Sequence, residues 1–193
     1  MAATHNLFLN VVLKAAGNEA RSALAAVQEK MKLRDRVRDI AREELWELEV
    51  AGGTADDARE TVERLVTSTN LFLNPNKHKH TLSDAGAKDA GSWAEGLDND
   101  EVAILVTDRE GTEGESVLSA IRRIGVDDVV GIRKWTRWRI RLAEPLGSGD
   151  PEALALIRRI GVATGRRDGL LSNPHSQISR AILPWGEEKV LAA

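Results

Sequence analysis

The sequence has no cysteine and no tyrosine, and it holds only two phenylalanines and two methionines among 193 residues. Without cysteine there is no disulfide, no thiolate nucleophile and no cysteine-ligated zinc. No apolar run approaches the roughly eighteen residues that span a bilayer, and the first residues lack the charged, apolar and small-residue zones of a signal peptide. The cytoplasm is therefore the expected location. A net charge of −3 speaks against wholesale nucleic-acid binding. What is present, 42% hydrophobic and 30% charged residues, is the composition of a globular protein. The length allows one large domain or two small ones, each with its own core. Charge is uneven: residues 1–100 carry 13 Lys+Arg against 17 Asp+Glu, and residues 101–193 carry 14 against 13.

One pattern runs through the chain twice. "LFLNVVLK", from Leu7, is short and rich in Val and Leu, and reads as a strand. Ala20, Leu24, Val27 and Met31 then form the stripe of an amphipathic helix. "LWELEV" alternates Trp46, Leu48 and Val50 with Glu47 and Glu49, a half-buried strand. Thr54 and Asp57 stand at capping distance before a helix with Ala58, Val62, Leu65 and Val66 on its apolar face. Asn74-Pro75 is expected to close that helix, because proline offers no N–H and pushes the preceding residue out of helical geometry. "HKHTL" follows as a short strand.

The second pass opens with the strand "EVAILVTD". Thr112 and Glu115 are spaced as a capping box before Val117, Leu118, Ile121 and Ile124, with Gly125 placed to stop the helix. "RWRIRL" alternates Trp138, Ile140 and Leu142 with Arg137, Arg139 and Arg141. Asp150-Pro151 starts a helix carrying Leu154, Ile157 and Ile160, bent at Gly161 or Gly165, which ends at "LLSNP". Between the passes, Ser83 to Asn99 is rich in Ala, Gly, Asp and Ser and reads as a linker, with Trp93 anchoring it to a surface. The boundaries are thus 1–82, 83–99 and 100–193.

The segment "VRDIAREELWELEVAGGTADDARETVERLVTSTNLFLNP" resembles the PurS subunit family of phosphoribosylformylglycinamidine synthase. The likeness rests on Val37, Asp39 and Ile40 before the alternating strand, Ala58-Arg59 at the helix start, and Leu71, Leu73, Asn74 and Pro75 at its end. The second pass is similar through Val129, Ile132, "RWRIRL", Leu170, Leu171, Asn173 and Pro174. Two family loops differ: the places of Leu-Asp-Pro-x-Gly and Val-Gly-Lys read "AAGNEA" and Arg42-Glu43-Glu44 in the first pass. In the second they read "EGTEGE" and Lys134-Trp135-Thr136. The resemblance implies an α+β fold of two ferredoxin-like repeats, antiparallel sheets with helices on one face, forming a pseudo-dimer within one chain that can oligomerise further. It also implies a non-catalytic bridge between a synthetase subunit and a glutaminase subunit in purine biosynthesis. It further implies that the complex uses ATP, Mg and glutamine, with no cofactor expected on this chain itself.

The expected partner-binding residues are Asn74, Pro75, Asn173 and Pro174 at the corners, with Arg139, Arg141, Arg166 and Arg167. Glu47 and Glu49 on one outward strand row and Arg139 and Arg141 on the other are of opposite charge, and cross-strand pairs of that kind are stabilising; the two rows are expected to lie close in one pseudo-twofold sheet. His78 and His80 share a strand face, but Lys77 and Lys79 flank them and no third ligand is near in sequence, so a solvated edge strand is the reading. "REGTEG" and "GVATGRRDG" contain glycines without a phosphate-binding arrangement, which leaves Arg166-Arg167 as the best anion candidate. No catalytic residue is assigned. Trp46 and Trp138 belong to the inward set, whereas alternation does not place Trp135 or Trp185. The alternative function is a nucleic-acid-binding module with a ferredoxin-like sheet, followed by a small-ligand regulatory domain and a stand-alone enzyme.

Overall fold

The structure, a computed structural model, describes residues 3–15, 17–84, 93–94, 96–147, 151–165 and 168–192. The elements run β1 (Ala3–Leu13), α1 (Asn18–Ala25, continuing as a π-helical turn Ala26–Lys30), β2 (Val37–Gly52), α2 (Ala55–Ser68) and β3 (His78–Asp84). They continue with β4 (Glu101–Asp108), α3 (Thr112–Arg123), β5 (Val129–Leu142), α4 (Pro151–Gly161), β6 (Gln177–Ile182) and β7 (Glu188–Ala192). The described fold is α+β, with one antiparallel sheet of seven strands in the order β3-β1-β2-β5-β4-β6-β7. The order strand, helix, strand, helix, strand occurs twice, and β7 is an addition that the sequence reading did not contain. Among the described residues no helix is long and apolar enough to cross a membrane.

Local chemistry explains where the elements start and stop. At α2, Thr54 Oγ1 accepts the N–H of Asp57 at 3.1 Å and Asp57 Oδ2 accepts the N–H of Thr54 at 3.0 Å, the reciprocal box expected from the sequence. The helix then ends at Ser68, before the proline. Thr67, Ser68 and Thr69 turn their hydroxyls back onto the carbonyls of Glu63, Arg64 and Leu65 at 2.8, 2.6 and 2.7 Å, and a Thr-Ser-Thr run of this kind competes with continued helix. Thr112 is not a cap. It is already the first residue of α3, whose N-cap is Gly111, with no side chain to accept a hydrogen bond. Gly125 does follow the end of α3, as expected. Replacing Thr54 by alanine should cost about 1 kcal/mol of stability, whereas Thr112→Ala should fall within about 0.5 kcal/mol of the parent. Urea denaturation of the two variants side by side checks the pair, and equal losses would contradict it.

The strands β2 and β5 are longer than "LWELEV" and "RWRIRL" alone. Arg42-Glu43-Glu44 and Lys134-Trp135-Thr136, which sequence comparison places in pre-strand loops, lie inside β2 and β5. Likewise α4 does not reach "LLSNP"; it ends at Gly161, so Gly165 lies outside it.

The chain forms two compact units, and these do not coincide with the two passes. One takes residues 1–15, 43–88 and 110–135; the other takes 16–42, 89–109 and 136–193. In the first unit, Leu7, Leu9 and Val11 of β1 and Trp46, Leu48 and Val50 of β2 face Ala58, Val62, Leu65 and Val66 of α2, with Ile121 of α3 and Val129 of β5 in the same core. The Trp46 ring meets Phe72 edge-on, centroids 5.3 Å apart. In the second unit, Ile104 of β4, Ile140 of β5 and Ile157 and Ile160 of α4 enclose Ala23, Val27 and Met31 from the α1 segment, together with Val37 and Ile40 of β2. Trp138 packs against this cluster, on the face that its alternation indicates. Each unit thus combines residues of both passes.

Candidate functional site

The two Asn-Pro corners are built alike. In the first unit, Asn74 Oδ1 accepts the N–H of Asn76 at 3.0 Å, and the Asn74 N–H lies 3.0 Å from His78 Nδ1. The Asn74 carbonyl accepts the N–H groups of Lys77 and His78, and Lys14 at the end of β1 donates its ammonium to the Pro75 carbonyl at 2.7 Å. In the second unit, Asn173 Oδ1 accepts from His175 N–H at 3.0 Å, the Asn173 N–H donates to Gln177 Oε1 at 2.9 Å, and the Asn173 carbonyl accepts from Ser176 and Gln177. Arg109, just past the end of β4, reaches the Pro174 carbonyl at 2.8 Å. His78 therefore fills the turn position that Gln177 fills in the other corner. Among the described residues no group of three His, Asp or Glu side chains is placed to hold a metal.

Two of the four arginines expected at a partner surface, Arg139 and Arg141, are engaged within the second unit. Arg141 faces Glu101 in the β4–β5 register and binds its carboxylate through Nε at 3.2 Å and Nη2 at 2.9 Å, with Asp98 at 2.8 Å. Arg139 Nη2 donates to the same carboxylate and to the Gly96 carbonyl at 2.9 Å, so both arginines fasten residues 96–101 to the sheet. Burial alone works to raise the pKa of Glu101, which is only 5% exposed. Hydrogen bonds from Arg139 and Arg141, the Arg139 charge and the Asp98 N–H outweigh that and hold it below the ordinary carboxylate value. Arg166 and Arg167 lie outside the described residues, as does most of the 83–99 segment; Trp93 and Ala94 within that segment are buried.

Two of the charges that alternation places outward are buried rather than solvated. Glu47 is 9% exposed and Arg137 is 6% exposed. Glu47 accepts the indole N–H of Trp135 at 3.3 Å, and Trp135 itself is 1% exposed. Trp185, by contrast, is 41% exposed, its indole N–H held by Glu187 at 2.9 Å.

On the helix side of the first unit, a groove of about 480 Å³ opens beside Asn74, between the segment after α2 and the start of α3. Its floor is Trp46, and Lys134 of β5 lies over that ring with its ammonium 5.1 Å from the centroid. The same ammonium is 3.5 Å from Glu44 and 3.2 Å from Glu113, both of which line the groove. One cation between two carboxylates, with Leu71, Leu73 and Val117 as apolar wall, makes a surface suited to holding a polar-apolar segment of another molecule. Sequence reasoning assigned Trp46 to the core and did not single out Lys134, Glu44 or Glu113 as a group. No local spacing marks them, because Glu44 and Lys134 are ninety positions apart. No protein-family model matches the chain, and no curated protein matches it.

Proposed function

We propose that the chain is a tandem PurS-like assembly subunit, two ferredoxin-like α+β repeats in one polypeptide, that holds a synthetase and a glutaminase together so that ammonia passes between them. The observation that carries this reading is the recurrence of one corner, ninety-nine residues on, with the same Asn-Pro pair, the same side-chain turn and a cation from just past the first strand of the pass on the proline carbonyl. A duplicated unit of the kind the sequence resembles accounts for it. ATP, Mg and glutamine would be used by the partners, and this chain would contribute surface. The Asn74 corner and its groove are the preferred docking site, since they combine a fixed turn with charged and apolar lining.

Affinity capture with the tagged chain in the presence of glutamine and Mg-ADP tests the reading. Recovery of a synthetase and a glutaminase polypeptide is the expected result; recovery of neither, with salt-sensitive nucleic acid in their place, would favour the alternative. Reversing the groove with Glu44→Lys together with Glu113→Lys should weaken capture about tenfold, equivalent to about 1.4 kcal/mol. Capture unchanged by that double variant would move the docking site elsewhere.

A further inference from the structure

We propose that the two halves of the chain, residues up to Asp84 and residues from Trp93, are specific binding partners for one another, and that the peptide link between them is dispensable once they have met. The inference does not depend on what the chain assembles with. It rests on how each compact unit is composed. The core of the second unit lies mostly in the later half, yet Ala23, Val27, Met31, Leu33, Val37 and Ile40 all come from the earlier one. The core of the first unit lies mostly in the earlier half, yet Ile121 and Val129 come from the later one, with Val117, Leu118, Val126 and Ile132 packed against it.

Polar contacts cross between the halves inside each unit as well. In the first, Ala51 N–H donates to the Asp128 carbonyl at 2.7 Å, and Trp135 donates to Glu47. In the second, Ala143 N–H donates to the Arg36 carbonyl at 2.9 Å and Arg159 Nη2 donates to the Met31 carbonyl at 3.0 Å. Taken alone, either half would present an uncovered core stripe and lose part of a paired strand: the later half would miss the Val27 helix and the start of β2, and the earlier half would miss α3 and the start of β5. A surface that is apolar, continuous with backbone pairing and matched by a single covering segment has one fitting occupant, the other half of the same sequence.

The full-length chain carrying a protease recognition sequence between Asp84 and Trp93 tests this. After cleavage of the folded protein, both fragments should elute together at the mass of the uncut chain, with unchanged far-UV dichroism. The melting temperature should now rise with protein concentration, as that of the uncut chain does not. Fragments separated in guanidinium should each refold without a cooperative melt and should recover it on mixing. Val27→Asp in the earlier fragment should reduce that recovery at least tenfold. Fragments that part on the native column, either fragment melting cooperatively by itself, or Val27→Asp recombining like the parent would each overturn the proposal.

Discussion

Replacing Gly169 by alanine should lower the melting temperature by roughly 10 °C, on a loss of about 4 kcal/mol. Gly169 has φ +77°, where a side chain is strained, and a Cβ there would lie 1.9 Å from the carbonyl carbon and oxygen of Val162. The approach is close because this loop caps α4. Val162, Gly169, Leu170 and Ser172 give their N–H groups to the carbonyls of Arg158, Arg159, Ile160 and Gly161, the four that a helix end leaves without internal partners. The 2.7 Å bond from Gly169 to Arg159 is the shortest of the four. Displacing the loop uncovers these carbonyls beside Ile157 and Ile160, which anchor the core of the second unit. Gly165, four residues earlier, has open space where a Cβ would stand, and Gly165→Ala should change stability by no more than about 0.5 kcal/mol. Thermal melts of the two alanine variants decide the matter: similar values would mean that the loop does not press on the helix end.

Replacing Glu101 by glutamine should cost about 1–3 kcal/mol at neutral pH, because a buried acceptor of charged hydrogen bonds is weakened. It should also change the shape of the acid limb. The folded pKa of Glu101 is depressed, so its contribution is fully present above the unfolded value, about 4.3, and disappears as pH falls through the lower folded value. The parent should therefore lose stability below about pH 4 more steeply than Glu101→Gln. Urea midpoints measured from pH 7 down to pH 2 give both curves; parallel curves would show that the carboxylate's pairing with Arg139 and Arg141 contributes nothing. Limited proteolysis near residues 96–101 should respond in the same direction, since those two arginines hold that segment.

The parts of the fold that were legible in the sequence are those with a short, regular period. Six residues of strict alternation are enough to put Trp46, Leu48 and Val50, or Ile140 and Leu142, on the helix-covered side. The Thr54–Asp57 pair carries its own geometry in a spacing of three. Less legible were the upstream halves of β2 and β5, where Arg38, Asp39 and Arg42, or Arg133 and Lys134, interrupt the apolar rhythm although the backbone continues in the sheet. Asn74-Pro75 is the stronger local stop signal in the sequence, but three hydroxyls end α2 first. The exchange of helices between passes left no trace at all. Periodicity says that Val27 needs cover; it does not say whether β1 beside it in sequence or β4 far along the chain will supply it. The groove was hidden for the same reason, since Lys134, Glu44 and Glu113 meet only after the strands pair.

The interleaving of the units bears on synthesis. The first unit needs residues as late as Trp135, so β1, α2 and β3 leave the ribosome about fifty residues before the last of their covering segment exists. At about 5–20 residues per second, the apolar side of that half-built sheet waits roughly 3–10 s for Ile121 and Val129. During that interval a nascent-chain chaperone has an obvious client, and slow codons before position 135 would lengthen the exposure.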